Sequence, residues 1–367
     1  MLTRRRFTGA APVLLGATSV LNACSGSGAA ESYETVAART WRHGPLQGLG
    51  GEALSLELVR YATLAPSSHN TQCWKFALEG SSVTILPDLS RRCPAVDPDD
   101  HHLFVSLGCA AENLIQAASA FGLRGEAGFD ASRDAVRITL SPAAASATPL
   151  FKAIPQRQST RGEYDGKPLG NGELKLLAEA GSSEPVRVLL LTDKAALEQV
   201  LEFVVQGNTA QLNDKPFVDE LKSWIRFSGA DAVRLGDGLF GKSSGNPTLP
   251  GWLGDLIFDF VLTAKSENDK NARQLRSSAG VAVFVGRQDD KAHWVEVGRA
   301  YERFALQATA LGIRSAHLNQ PVEVPSLRPQ FASHLGLGAM RPDLVLRFGR
   351  GPTLPPSLRR PVQAVLV

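Results

Sequence analysis

The stretch APSSHNTQ, residues 65–72, holds two serines, a histidine, an asparagine, a threonine and a glutamine with no formal charge among them. Neutral donors and acceptors gathered behind a proline suit hydrogen bonding to a planar, uncharged group rich in heteroatoms. A second stretch, RQSTRGEYDGKPL (157–169), sets Arg157, Ser159 and Arg161 at alternate positions. If it is extended, the three project from one face; if helical, the two arginines still align at i and i+4. Two guanidinium forks around a hydroxyl match a phosphate dianion, although the same pattern also suits a solvated loop. Another arginine pair, Arg359 and Arg360, stands near the C-terminus in PPSLRRPV.

Other polar clusters carry less. In DPDDHH (97–102), Asp97, Asp99 and Asp100 are explained by the start of a helix, and no distant His/Cys/Asp group completes a metal site, so none is expected. Ser68-His69 lacks the context of an activated nucleophile. GLGGEA and GLGAMRP are glycine clusters without a strand–helix phosphate setting. Cys73, Cys93 and Cys109, the cysteines beyond Cys24, show neither zinc spacing nor a disulfide framework.

The elements that must position these residues are legible around them. An apolar helical run (Leu54, Leu58, Tyr61, Ala62, Ala65) leads into APSSHNTQ, and a strand-like run from Trp74 to Leu78 leaves it. Further on the chain repeats itself: VSLGCAAENLIQAASAFGLR (105–124) aligns without a gap on VEVGRAYERFALQATALGIR (295–314), with Gly108/Gly298, Glu112/Glu302 and Gly122/Gly312 in register. Both are small-residue-rich helices stopped by glycine. A weaker echo sets Ser67-Ser68 over Ser182-Ser183. The interval to the matching glycine is 41 residues in one copy and 116 in the other, so the second copy carries about 75 extra residues, near 206–275. Their glycines and aromatics suggest a lid or binding loop. The expected organisation is a leader and tether (1–30), a first repeat (31–150) and a second repeat (151–367).

The formal net charge is +3, and setting aside Arg4, Arg5 and Arg6 leaves zero. A body without basic excess argues against a nucleic-acid partner. The opening MLTRRRFTGAAPVLLGATSVLNAC fits a twin-arginine export signal. LNAC resembles a lipobox that would place a lipid on Cys24, with Asn22 unusual there. The expectation is export to the periplasm, free or membrane-tethered, by a route often used for proteins that load a cofactor in the cytoplasm.

Together, APSSHNTQCW, RRCPAVDPDDHHLFVSLGCAAENL, RQSTRGEYDGKPL, WVEVGRAYERFALQATALGI and LVLRFGRGP resemble the FMN-dependent nitroreductases, most closely their exported, internally duplicated (Acg-like) branch. The resemblance spans the chain after the leader. It implies an α+β, three-layer helix/sheet/helix fold, here as two repeats forming a single-chain pseudo-dimer with a lid insertion. Pro66, Ser67, Ser68 and Asn70 would sit at the flavin ring, Asn70 at its N3–O4 edge, with Gln72 a weaker addition. Arg157, Ser159 and Arg161, helped by Arg359 or Arg360, would hold the phosphate end; Asn319 and Gln320, in AHLNQ, would stand near N5. The flavin would carry the redox chemistry, so no acid–base residue is required. The implied activity is two-electron reduction of a small acceptor, with NAD(P)H as a candidate donor. The alternative is a lid-closed protein that binds or sequesters FMN without turnover. Cys73 stands where the family usually has proline, which alters the loop's exit.

Overall fold

The structure, a computed structural model, describes residues 31–367, apart from the side chains of Asp255, Asp259 and Val261. The twin-arginine stretch and Cys24 lie outside the described residues. The helical run before the polar loop is the helix Gly51–Thr63, and the strand after it is Trp74–Glu79.

Two four-stranded antiparallel sheets share one plan. The first runs, in spatial order, Trp74–Glu79, Ser82–Pro87, Ala135–Pro142, Leu123–Asp130; the second runs Val186–Leu191, Gly280–Gly286, Pro342–Gly349, Arg314–His317. In each, strands taken in chain order lie first, second, fourth, third. Each sheet has one long helix between its second and third strands: His101–Ala120 in the first half, Lys291–Ala310 in the second. Both helices end before a glycine with positive φ, Gly122 (+77°) and Gly312 (+70°), the backbone that side-chain-bearing residues resist.

The two helices lie against each other in the centre of the fold, with glycine at the crossing. A Cβ on Gly108 would stand 2.0 Å from the carbonyl oxygen of Val295, and one on Gly298 would stand 2.0 Å from that of Val105. The thiol of Cys109 donates to the Gly298 carbonyl at 3.3 Å. Helix 101–120 is apolar enough and long enough to cross a membrane, but its surface is taken up by the protein's own interior.

Layering differs between the halves. Strand 280–286 is buried at every position: Ala282 and Phe284 face the central helices, while Val281, Val283 and Val285 face a second cluster built on Leu197, Val200 and Val204. The second sheet is therefore covered on both sides. The first buries Phe76, Ile85 and Ile138 on its inner face but carries exposed Arg137 and Thr139 on the outer one. The expected three layers hold for the second half, whereas the first has two.

The covering helix, Lys194–Leu212, belongs to the extra segment of the second half. In the first sheet, strands 74–79 and 82–87 are joined by a tight hairpin at Gly80-Ser81. Their counterparts 186–191 and 280–286 pair just as directly, yet residues 192–279 separate them. The segment starts earlier and ends later than the 206–275 read from the repeat, because its first and last helices return to pack on the sheet.

The glycine crossing sets an expectation for stability. Gly298→Ala forces helix separation and should cost about 1–3 kcal/mol in urea unfolding. Gly172→Ala, on a helix with open space around it, should be neutral or slightly stabilising.

Candidate functional site

Two cavities meet along Pro66, Ser67, Ser159, Arg161 and Leu239, which line both. Counting their open mouths, they measure about 550 Å³ and 1380 Å³. Arg157, Asn70 and Arg359 belong to the smaller; Ser68, Asn319 and Gln320 belong to the larger. Gln72 and Arg360 line neither.

The stretch 157–161 is extended rather than helical. Arg157 has φ −68° and ψ 130°, and Ser159 pairs with Ser315 beside strand 314–317, where the Thr160 N–H donates to the Ser315 carbonyl at 2.9 Å. Alternation therefore brings Arg157, Ser159 and Arg161 to the cavity side. Arg347 holds this stretch from beneath. Fully buried in a strand of apolar neighbours, it donates to the carbonyls of Thr160 (3.2 Å) and Gly162 (2.7 Å) and lies 4.1 Å over the Tyr164 ring. The sequence reading left Arg347 out of the site; the available signal was a lone charge within LVLRFG.

The cavity floor is positively charged. Arg157 sits 3.3 Å from Glu302 Oε1 and donates to the Leu64 carbonyl at 3.1 Å. Asn113 donates to the same carboxylate oxygen at 2.9 Å and accepts from the Ala65 N–H at 3.1 Å. The approach of Arg157 to Glu302 is through Nε and falls outside hydrogen-bond geometry, and among the described residues Glu302 Oε2 has no hydrogen-bond partner. Burial pushes the Glu302 carboxyl up to about 7, against the pull of Arg157. Arg359 donates to the carbonyls of Thr63, Leu64 and Ala65 at 2.7–3.2 Å, and burial lowers it to about 9 with Arg157 adding repulsion. Among the described residues the Arg161 side chain bonds Ser244 Oγ, at 3.4 Å, and burial lowers its pKa as well. Arg157 and Arg359 lie near the Glu302 carboxylate and Arg161 adds a third positive charge to the cavity wall, a balance that an anion would complete.

The polar loop is held in an uncommon backbone. His69, Asn70 and Gln72 all have positive φ, at 47°, 53° and 54°, a region asparagine tolerates but most residues avoid. Hydrogen bonds from distant segments stabilise it. Asn70 Nδ2 donates to the carbonyls of Gly238 (3.0 Å) and Leu358 (3.2 Å), and its Oδ1 accepts from Arg359 at 2.9 Å. Gln72 is fully buried, donating to the Gly236 carbonyl at 2.8 Å and accepting from the Arg360 N–H at 2.8 Å. Both amides expected to face a ligand thus bond to the extra segment and the C-terminal strap, Asn70 while also lining the smaller cavity. The reason is burial: with water excluded, each amide must find a protein partner. Arg360 is likewise drawn away, to the carbonyls of Gln72 and Ala364. Ser67 Oγ accepts from the Gln72 N–H at 2.9 Å.

On the far wall, Asn319 Oδ1 accepts from the Val345 N–H at 2.9 Å, and Gln320 Oε1 is buried without a partner. His317, its ring edge-on to Tyr301 at 4.8 Å, is held neutral by burial, down to about 3. The extra segment supplies the remaining wall through Asn208, Gln211, Phe217, Asn271 and Gln274. Among its aromatics Phe217 reaches the cavity, while Trp252 and Phe260 point to solvent, 73% and 81% exposed.

His317 makes stability pH-dependent with a definite sign. Its folded pKa lies below the unfolded 6.5, so its contribution is present above 6.5 and lost as pH falls toward the folded value. At pH 5 the cost is about 2 kcal/mol relative to pH 8. His317→Gln should narrow the gap between urea midpoints at pH 7.5 and pH 5; an unchanged gap contradicts this assignment.

No protein-family model matches the chain. Two Mycobacterium tuberculosis sequences, from strains CDC 1551 and H37Rv, carry the provisional name NAD(P)H nitroreductase; each is 26% identical over 324 residues, 84% of this chain and 90% of theirs. Among solved structures, the FMN-dependent nitroreductase NfnB of Mycobacterium smegmatis in complex with NADPH aligns at 12% identity, over 55% of this chain and 87% of its own, with a TM-score of 0.37. A Bacteroides fragilis nitroreductase with bound FMN aligns at 18% identity over 56% and 89%, with a TM-score of 0.33. The sequence likeness to these two mycobacterial proteins is sustained over most of both chains.

Proposed function

We propose that this chain is an exported FMN-dependent oxidoreductase of the nitroreductase type, which takes electrons from NAD(P)H and reduces a small acceptor. The observation that carries the reading is the convergence of Arg157, Ser159, Arg161 and Arg359 on a cavity whose lining, among the described residues, holds no carboxylate, beside a loop of uncharged polar residues. The residues fit the cofactor: the guanidiniums of Arg157, Arg161 and Arg359, lining that cavity without a carboxylate, suit a phosphate. FMN, when bound, supplies the two-electron chemistry.

The chain's own part is binding and orientation. Arg157, Ser159, Arg161 and Arg359 hold the phosphate end. Ser67 and Ser68 supply neutral polar contacts at the ring, and the 319–320 turn forms the opposite wall. Asn70 and Gln72 act at one remove, fixing the loop's backbone. Leader-directed export, with or without a lipid on Cys24, belongs to this reading.

We infer a single site per chain, formed by two duplicated halves acting as a pseudo-dimer. Shared sheet order and reciprocal glycine crossing support the duplication. In the opposite half, Glu112 occupies the position of Glu302 but is bound by Arg299 (3.3 Å) and Arg303 (3.0 Å) of the neighbouring helix. Arg303 also donates to the Ala180 carbonyl at 3.2 Å, much as Arg359 does to Ala65. Arg299 is also paired with Glu296 at 2.8 Å, so the guanidiniums there already have carboxylate partners of the protein's own.

The extra segment walls the larger cavity, which favours a second reading, FMN held without turnover. Anaerobic addition of NADH or NADPH separates the two: bleaching of flavin absorbance supports the enzyme, and none with either donor supports sequestration.

Arg161→Gln should weaken FMN binding about 10- to 100-fold, from loss of one charge-assisted contact. Titration of the wild type should saturate at one FMN per chain; two, or unchanged affinity in the variant, overturns the reading. Helices 194–212 and 264–276 meet where Asn208 and Thr209 bond Asn268 at 2.7 and 2.9 Å, so a short linker can replace residues 214–262. That variant should leave bound flavin more accessible to iodide quenching; equal quenching would mean that the segment is no lid.

A further inference from the structure

His69, Cys93 and Glu220 come from three separate segments, the polar loop, the turn before helix 101–120, and the helix Lys215–Trp224 of the extra segment. Their donor atoms lie within 4.8 Å of one another. His69 Nδ1 and Cys93 Sγ are 3.6 Å apart. Metal bonds of about 2.3 Å to sulfur and 2.05 Å to nitrogen, opened to the tetrahedral angle, put the two ligand atoms at about 3.6 Å. The Cys93 thiol is free and buried. The Glu220 carboxylate oxygens accept the N–H groups of Ala95 (2.9 Å) and Val96 (3.1 Å), which aim it at the other two and leave lone pairs over. Glu220 itself lies in a partly buried setting. Phe217, Val96 and Leu221 give the group an apolar shell.

From this geometry we propose that His69, Cys93 and Glu220 bind one zinc-type divalent ion. His69 also lines the larger cavity, which puts the site at its wall, and three protein donors leave one coordination position for an exchangeable ligand. Binding converts the thiol to thiolate and releases its proton to solvent. The ion ties helix 215–224 to the polar loop and clamps the extra segment against the cavity. The site is independent of the flavin reading. In the other close group, Asp97, His101 and His102, two members are spent otherwise: both Asp97 oxygens accept backbone N–H groups of helix 101–120, and His101 Nε2 faces Asp343 at 3.1 Å.

The test is titration of the metal-depleted full-length chain with Co²⁺, followed by absorption. A near-ultraviolet thiolate-to-cobalt band and the visible bands of a tetrahedral ion should saturate at one equivalent, and Zn²⁺ should displace them. Cys93→Ser should abolish the near-ultraviolet band. His69→Gln should weaken binding by at least about 100-fold, since even outer partners of metal ligands are worth 10- to 100-fold. Circular dichroism checks that each variant is folded; if Cys93→Ser is not, His69→Gln decides. Absence of the thiolate band in the wild type, or its persistence at full affinity in His69→Gln, overturns the proposal. Persistence in folded Cys93→Ser does the same, since the thiolate would then be another cysteine.

Discussion

The close approach of helices 101–120 and 291–310 at Gly108 and Gly298 is the constraint on which the rest of the structure depends. With no side chain at either glycine, each backbone reaches the carbonyl of the other helix. That proximity brings Glu302, on one helix, within hydrogen-bond reach of Asn113 on the other, and sets Cys109 on the Gly298 carbonyl. The two sheets face outward from this pair, and the cavities lie where the halves adjoin. Wider spacing would separate Arg157 and its carboxylate from the loop that Asn113 and Arg359 support.

The site floor illustrates the cost of buried charge. Removing guanidiniums from water is expensive unless carbonyls and carboxylates replace the lost hydration. Arg359 and Arg347 meet that requirement through backbone carbonyls at helix and loop ends. Arg157 meets it partly, through the Leu64 carbonyl and a 3.3 Å approach of Nε to Glu302 that falls outside hydrogen-bond geometry. An incompletely compensated cation beside a cavity is where an anionic ligand gains most. The mirrored position resolves the same problem internally, because Arg299 and Arg303 supply Glu112 with its counter-charge.

The polar loop shows how the extra segment is coupled to the site. Three residues with positive φ need outside support, and it comes from Gly236 and Gly238 in the segment and from Leu358 and Arg359 in the C-terminal strap. The segment is therefore more than a cover, since it helps to hold the wall it covers.

The sequence by itself determined the parts governed by local rules. Apolar period marked the helix before the loop and the strand after it; terminal glycines marked the ends of the two long helices, and self-similarity marked their correspondence. Alternate spacing of Arg157, Ser159 and Arg161 carried the phosphate reading, and all three reach the cavities. Only the tertiary structure decided which polar side chains remain free. Asn70, Gln72 and Arg360 have the right chemistry, but their partners lie more than 160 residues away for the two amides at Gly236 and Gly238, and no local pattern encodes such pairing. Arg347 was passed over for the opposite reason: a single arginine in an apolar strand becomes meaningful once the carbonyls of Thr160 and Gly162 are seen above it. The meeting of His69, Cys93 and Glu220 was equally invisible, since three ligands on three segments have no spacing to read. Burial turns polar groups into partners, and what each is buried against is fixed only when the chain folds.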